Sequence, residues 1–140
     1  MPPLYVLDSF ALMALFQEEP GAAKVQELLA AAREGEHELY MSVVHLGEVV
    51  YTVENRRGLE TSQEVLAAID QLPIEIVEVD RPLALSAARL KAASGIGYLD
   101  CFVAALAQRL GAAVVTGDAD FRKLEDTVLP GRIEWLPGAR

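Results

Sequence analysis

Short apolar runs alternate with segments of helical spacing along the whole chain, which predicts strands separated by helices. Leu4-Tyr5-Val6-Leu7 is a continuous apolar run that stops at Asp8-Ser9, and it reads as a buried strand. Ser9 is the expected cap of a short helix to about Gln17, which Pro20-Gly21 breaks. Val25, Leu28, Leu29 and Ala32 then share one helical face. Glu38-Leu39-Tyr40-Met41 predicts a short strand. Ser42 caps the next helix, which carries Val43, Leu46, Val50 and Val53 and ends near Gly58 with Arg56 and Arg57 in its last turn. Another helix is expected over roughly Glu60–Gln71, stopping before Pro73.

Ile74 to Val79 reads as a strand, and Asp80 caps a following helix with Pro82 in its first turn. Gly95-Ile96-Gly97 is a loop. Tyr98 to Leu110 is an almost wholly apolar, alanine-rich helix, as expected of a buried central element, and Gly111 closes it. Residues 113–116 form an apolar strand that ends at Gly117 and delivers Asp118 and Asp120 into a turn. A short helix from Phe121 to about Glu125 and an edge strand over Arg132–Leu136 complete the chain. About five short strands with helices between them predict a three-layer α/β/α sandwich around a mainly parallel sheet.

Length and composition narrow this picture. At 140 residues and 52% hydrophobic content the chain reads as one domain, residues 1–140, with ample material for a core. Its single cysteine, Cys101, forms no internal disulfide, which suits a reducing cytosol and a cytoplasmic location. No basic segment with a long apolar stretch precedes the first strand, so no signal peptide is expected. No apolar run reaches the roughly 18 to 20 residues needed to span a bilayer, so no membrane is expected either. The net charge of −9 argues against a nonspecific nucleic-acid coat and suits a basic partner protein. It leaves room for a metal-dependent nuclease, whose carboxylates add to the count.

The acids that end strands carry the candidate chemistry. Sites in open α/β sheets form beyond the carboxyl ends of the strands, where Asp8 and Asp118 are expected. Two helical acids stand on apolar stretches: Glu48 in the Ser42 helix, and Asp100 in the first turn of the apolar helix. An ionised acid on such a surface needs compensation. Each acid also has a plainer reading, as a turn former, a helix cap or a solvated face. Their agreement favours a site. Two carboxylates ~6 Å apart repel by roughly 3 kcal/mol at an effective dielectric of ~20. Four convergent acids would repel by on the order of 10 kcal/mol, against a total stability of about 5–15 kcal/mol. Either some acids hold protons or a divalent ion sits among them. With carboxylates alone on offer, that ion is Mg²⁺ or Mn²⁺ rather than Zn²⁺.

These residues resemble the PIN-domain ribonucleases, especially the toxin half of VapBC-type toxin–antitoxin pairs. Asp8-Ser9 looks like the opening acid with its hydroxyl neighbour. Glu48, within Ser42-Val43-Val44-His45-Leu46-Gly47-Glu48-Val49, looks like the second acid. Asp100, within Tyr98-Leu99-Asp100-Cys101-Phe102-Val103, resembles the third. Thr116-Gly117-Asp118-Ala119-Asp120-Phe121 resembles the closing T-x-D-x-D-F motif. The resemblance implies a metal-dependent endoribonuclease held in check by a cognate antitoxin. It implies Asp8, Asp100, Asp118 and Glu48 as ion-binding and catalytic acids. Ser9 and Thr116 are implied to bond waters of the ion, and Asp120 to be an auxiliary acid. The helices between Phe10 and Leu72 resemble the antitoxin groove, and a homodimer is implied as well.

Other residues carry plainer expectations. Arg56 and Arg57 suit a helix C-terminus. Arg122 and Lys123 follow the acidic turn, where an RNA phosphate is a candidate partner. His45 is expected to be solvated or hydrogen-bonded, His37 to lie in a loop, and Cys101 and Trp135 to pack. An alternative is a non-catalytic PIN-like interaction module that keeps the acidic metal pocket; the complete acid set argues against it. A phosphoacceptor receiver would need a second acid after the first strand and a lysine after a late one. A DxD phosphatase would need an acid where Phe10 stands.

Overall fold

Residues 2–125, 127–129 and 131–138 are described by a computed structural model. The elements run β1 (Leu4–Leu7), α1 (Ser9–Phe16), α2 (Ala22–Arg33), β2 (Glu38–Ser42), α3 (Val43–Arg57), α4 (Leu59–Ile69), β3 (Ile74–Val77), α5 (Arg81–Ser94), α6 (Tyr98–Leu110), β4 (Ala113–Thr116), α7 (Arg122–Glu125) and β5 (Ile133–Trp135). A 3-10 turn, Ala119–Phe121, precedes α7. The strands form one sheet in the order β3-β2-β1-β4-β5, and every described pairing is parallel. This is the expected sandwich, with the sheet parallel throughout its described pairs.

The sheet is covered on both faces, which is why its strands read as unbroken apolar runs. Neighbouring residues of a strand point to opposite faces. Val6 and Val114 pack with Leu83, Phe102 and Leu106 of α5 and α6. Leu7 and Val115 pack the other way, with Leu12, Val25, Val49 and Ile69 of α1 to α4. Seven consecutive residues of α6, Cys101 to Ala107, are buried. That explains its lack of a polar face, and it places Cys101 in the core as expected.

Several local expectations need correction. Asp8, not Ser9, caps α1: its Oδ1 accepts the Ala11 N–H at 3.0 Å. A carboxylate one residue earlier reaches the orphan donors of the first turn, and Ser9 becomes the first helical residue. β3 stops at Val77, β5 spans only Ile133–Trp135, and α4 starts at Leu59 and ends at Ile69. The inward stripe of α3 is His45, Val49 and Val53, offset by one position at Val50 from the apolar pattern. A buried histidine occupies the place where apolar counting finds nothing, so the apolar pattern falls on the flank of the inward stripe.

Candidate metal centre

β1 and β4 lie side by side, and the chain leaves them toward different parts of the fold. After β1 it builds α1 to α4 and the strands β2 and β3 on one side. It returns to β4 through α5 and α6 on the other face. A cleft opens beyond the carboxyl ends of such adjacent strands. Asp8 ends β1 and Asp118 follows β4, so both acids stand at this opening.

Thr116 ties the two strand ends together. Its hydroxyl donates to Asp8 Oδ2 and accepts the Asp118 N–H at 2.9 Å. Asp118 Oδ1 in turn accepts the Asp120 N–H at 2.9 Å and so caps the 3-10 turn. Gly117 sits between them because nothing larger fits: a Cβ there would lie 2.2 Å from Cε1 of the Phe10 ring. On the helical side, Ser9 donates to Glu48 Oε1 at 2.5 Å and joins α1 to α3. Ser9 and Thr116 thus each donate to a carboxylate of the cleft.

Asp100, Asp118 and Asp120 each offer a carboxylate oxygen within 4.8 Å of the other two. Asp8, Glu48, Asp100 and Asp118 line one cleft of about 630 Å³, together with Ser9, Phe10 and Arg56. The tightest group thus includes Asp120, the auxiliary acid. Asp8 and Glu48 share the cleft but stand outside that trio, each engaged by a hydroxyl.

The electrostatics follow from this crowding. Asp8 is buried, and desolvation pushes its carboxyl up to about 7; the bonds from Thr116 and Ala11 pull it down, while Asp100 and Asp118 push it further up. Asp100 is also pushed up to about 7, first by burial and then by the charges of Asp118, Glu48 and Asp120. Crowded, partly buried carboxyls of this kind either hold protons or are relieved by a cation. The donors facing the cleft are oxygens, so the set fits a hard divalent ion such as Mg²⁺ or Mn²⁺.

The nitrogen and sulfur ligands that zinc prefers are elsewhere. His45 is buried, with Nδ1 3.0 Å from Ser42 Oγ. Its Nε2 faces the Leu99 backbone without completing a hydrogen bond. Burial holds its ring down at about 4, so it is neutral at physiological pH. His37 lies in a loop, with its ring edge-on to Tyr5.

The basic residues sort differently from expectation. Arg122 is exposed, with its guanidinium 4.6 Å from the centre of the Trp135 ring, a stacking contact. Arg56 lines the acidic cleft and donates to Gln17 Oε1 at 3.1 Å, so it does more than favour a helix end. Its placement was legible in principle: Glu48, Thr52 and Arg56 are spaced four apart and lie on one helical face.

A PIN-domain family model matches residues 5–126. No curated protein matches the chain in sequence. Among solved structures, VapBC2 from Rickettsia felis, bound to a DNA fragment from their promoter, is similar with a TM-score of 0.75 at 19% identity, covering 95% of this chain and 98% of that one. Mycobacterium tuberculosis VapC20, a Sarcin-Ricin loop cleaving toxin, gives 0.70 at 17% identity, covering 84% and 92%. DNA-bound VapBC from Salmonella typhimurium gives 0.69 at 20% identity, covering 96% and 98%. At such identities the likeness is one of fold. The family match itself runs from β1 to the far side of the acidic turn and takes in all five acids; the chain belongs to the PIN-domain family.

Proposed function

We propose that this protein is a Mg²⁺- or Mn²⁺-dependent endoribonuclease and the toxin of a type II toxin–antitoxin pair. The observation that carries the proposal is the meeting of Asp100, Asp118 and Asp120 within 4.8 Å, in a cleft also lined by Asp8 and Glu48. The likeness to VapBC structures and to a loop-cleaving toxin supports the choice of RNA as substrate. It equally supports a cognate antitoxin as partner, seated on the helices between Phe10 and Leu72. A homodimer is part of the same reading.

Asp8, Asp100, Asp118 and Glu48 would hold the ion, with Asp120 as an auxiliary acid. Bound there, the ion supplies Lewis-acid stabilisation of charge on a scissile phosphate. Thr116 keeps Asp8 and the Asp118 backbone in register, and Ser9 fixes the Glu48 carboxylate. Asp8 and Asp100 would have to be ionised to hold the ion, so its binding should strengthen as pH rises.

The test is cleavage of structured RNA by the purified protein, with Mg²⁺ or Mn²⁺ and with EDTA. Cleavage should need the ion. Asp100→Asn should reduce it by at least about a hundredfold while leaving circular dichroism unchanged. Undiminished, metal-dependent cleavage by Asp100→Asn would refute the assignment of that acid. An intact protein that binds Mn²⁺ but cuts no RNA would refute the enzyme and leave an interaction module.

A further inference from the structure

The acidic cleft contains one basic side chain. Among its lining residues Asp8, Glu19, Glu48, Asp100 and Asp118 are acids, and only Arg56 is a cation. An arginine in such company would be expected to pair with a carboxylate. Among the described residues it does not: the ion pairs are Lys24 with Glu134 and Arg109 with Asp80. Arg56 instead donates one N–H to the neutral Gln17 amide oxygen, at 3.1 Å. A guanidinium has five N–H donors, so one neutral bond steadies the group and leaves its charge and most of its donors open.

Its position is set by helix geometry. Glu48 and Arg56 lie eight residues apart on one face of α3, about 12 Å along the axis. Arg56 therefore stands about two helical turns along the cleft from Glu48, beside Gln17. Resting on the nuclease reading above, we infer that Arg56, braced by Gln17, binds a backbone phosphate flanking the scissile one and so fixes the lie of the RNA strand. The chemistry agrees. A polyanion entering a cleft of net negative charge needs a cationic contact beyond the ion, and a planar guanidinium matches phosphate oxygens in pairs. A phosphate contact of this kind positions the strand without reading its sequence.

The test uses a short fluorescent single-stranded RNA of mixed sequence and the full chain. KM and kcat are measured for the wild type, Arg56→Gln, Arg56→Lys and Arg57→Gln. Binding of the same RNA to the Asp100→Asn forms is followed over a range of salt. Arg57 is the control, because it shares the last turn of α3 but does not line the acidic cleft; its own hollow, with Phe16 and Val65, meets that cleft only at Gln17. Arg56→Gln should raise KM by about tenfold with kcat nearly unchanged. Its log–log salt slope should be shallower by about 0.7. Arg56→Lys should keep the salt slope and lose part of the affinity, and Arg57→Gln should match the wild type.

A role confined to the helix end would move the melting temperature of both arginine variants and leave KM alone. Wild-type KM and salt slope in Arg56→Gln, with cleavage intact, would overturn this inference only. A wild-type protein that neither cuts nor binds RNA would overturn the nuclease reading and this one with it.

Discussion

Asp8 and Asp100 keep protons to about pH 7 in the folded, ion-free protein, whereas an ordinary aspartate releases its proton near 3.8. The folded state thus binds more protons than the unfolded chain between those limits, and these two groups cost stability as pH rises through that window. His45 acts in the opposite sense. Its ring takes a proton only near 4 when folded but near 6.5 when unfolded, so acidification across that range costs stability. The two effects partly cancel in the wild type, and a single substitution separates them. In EDTA, Asp100→Asn should be close to the wild type at pH 4. Above pH 7 it should be more stable by about 1–2 kcal/mol, a figure discounted because solvent reaches this half-buried carboxyl. Urea unfolding at both pH values measures it. A gain that does not grow with pH would mean that Asp100 is not under electrostatic load.

The helix α3 shows what the element scale adds. It carries Glu48 and Arg56 on the cleft side and His45, Val49 and Val53 toward the core. Its caps were readable: Ser42 Oγ accepts the His45 N–H at 3.3 Å, and Gly58 ends the helix with a φ of 91°. Its inward face was harder to read, because the buried histidine breaks the apolar count. Gly47, inside α3, gives an element-scale prediction. It is exposed, and a Cβ there meets nothing within 4 Å. Gly47→Ala should stabilise the protein by about 0.5–1 kcal/mol in thermal or urea unfolding. Loss of stability would show that a partner surface covers α3 at this point.

For the whole molecule, the parallel sheet and its order of elements were legible, because uninterrupted apolar strands and capped helices leave few alternative topologies. The acids at strand ends were legible for the same reason, since the carboxyl edge of a parallel sheet is where such residues gather. Cross-chain links were not. That Ser9 reaches Glu48, or that Thr116 joins Asp8 to Asp118, depends on how distant elements pack. The same gathering makes global stability depend on the ion. With a net charge of −9 and five acids crowded at one sheet edge, Mg²⁺ or Mn²⁺ should raise the melting temperature, and by more at pH 8 than at pH 5.5. Calorimetry at the two pH values checks this; an equal rise at both would show that the ion binds away from Asp8 and Asp100.

The central placing of the first strand has a consequence for biosynthesis. Thr116 follows Asp8 by 108 positions, yet it is one of the two partners that hold this carboxylate, Ala11 being the other. A ribosome adding about 5–20 residues per second needs on the order of ten seconds to make that length. Until β4 emerges, β1 has only β2 beside it, Asp8 lacks the Thr116 bond, and the five acids cannot assemble. Under the proposed activity, a chain that has not yet made β4 and its acidic turn would lack the assembled site.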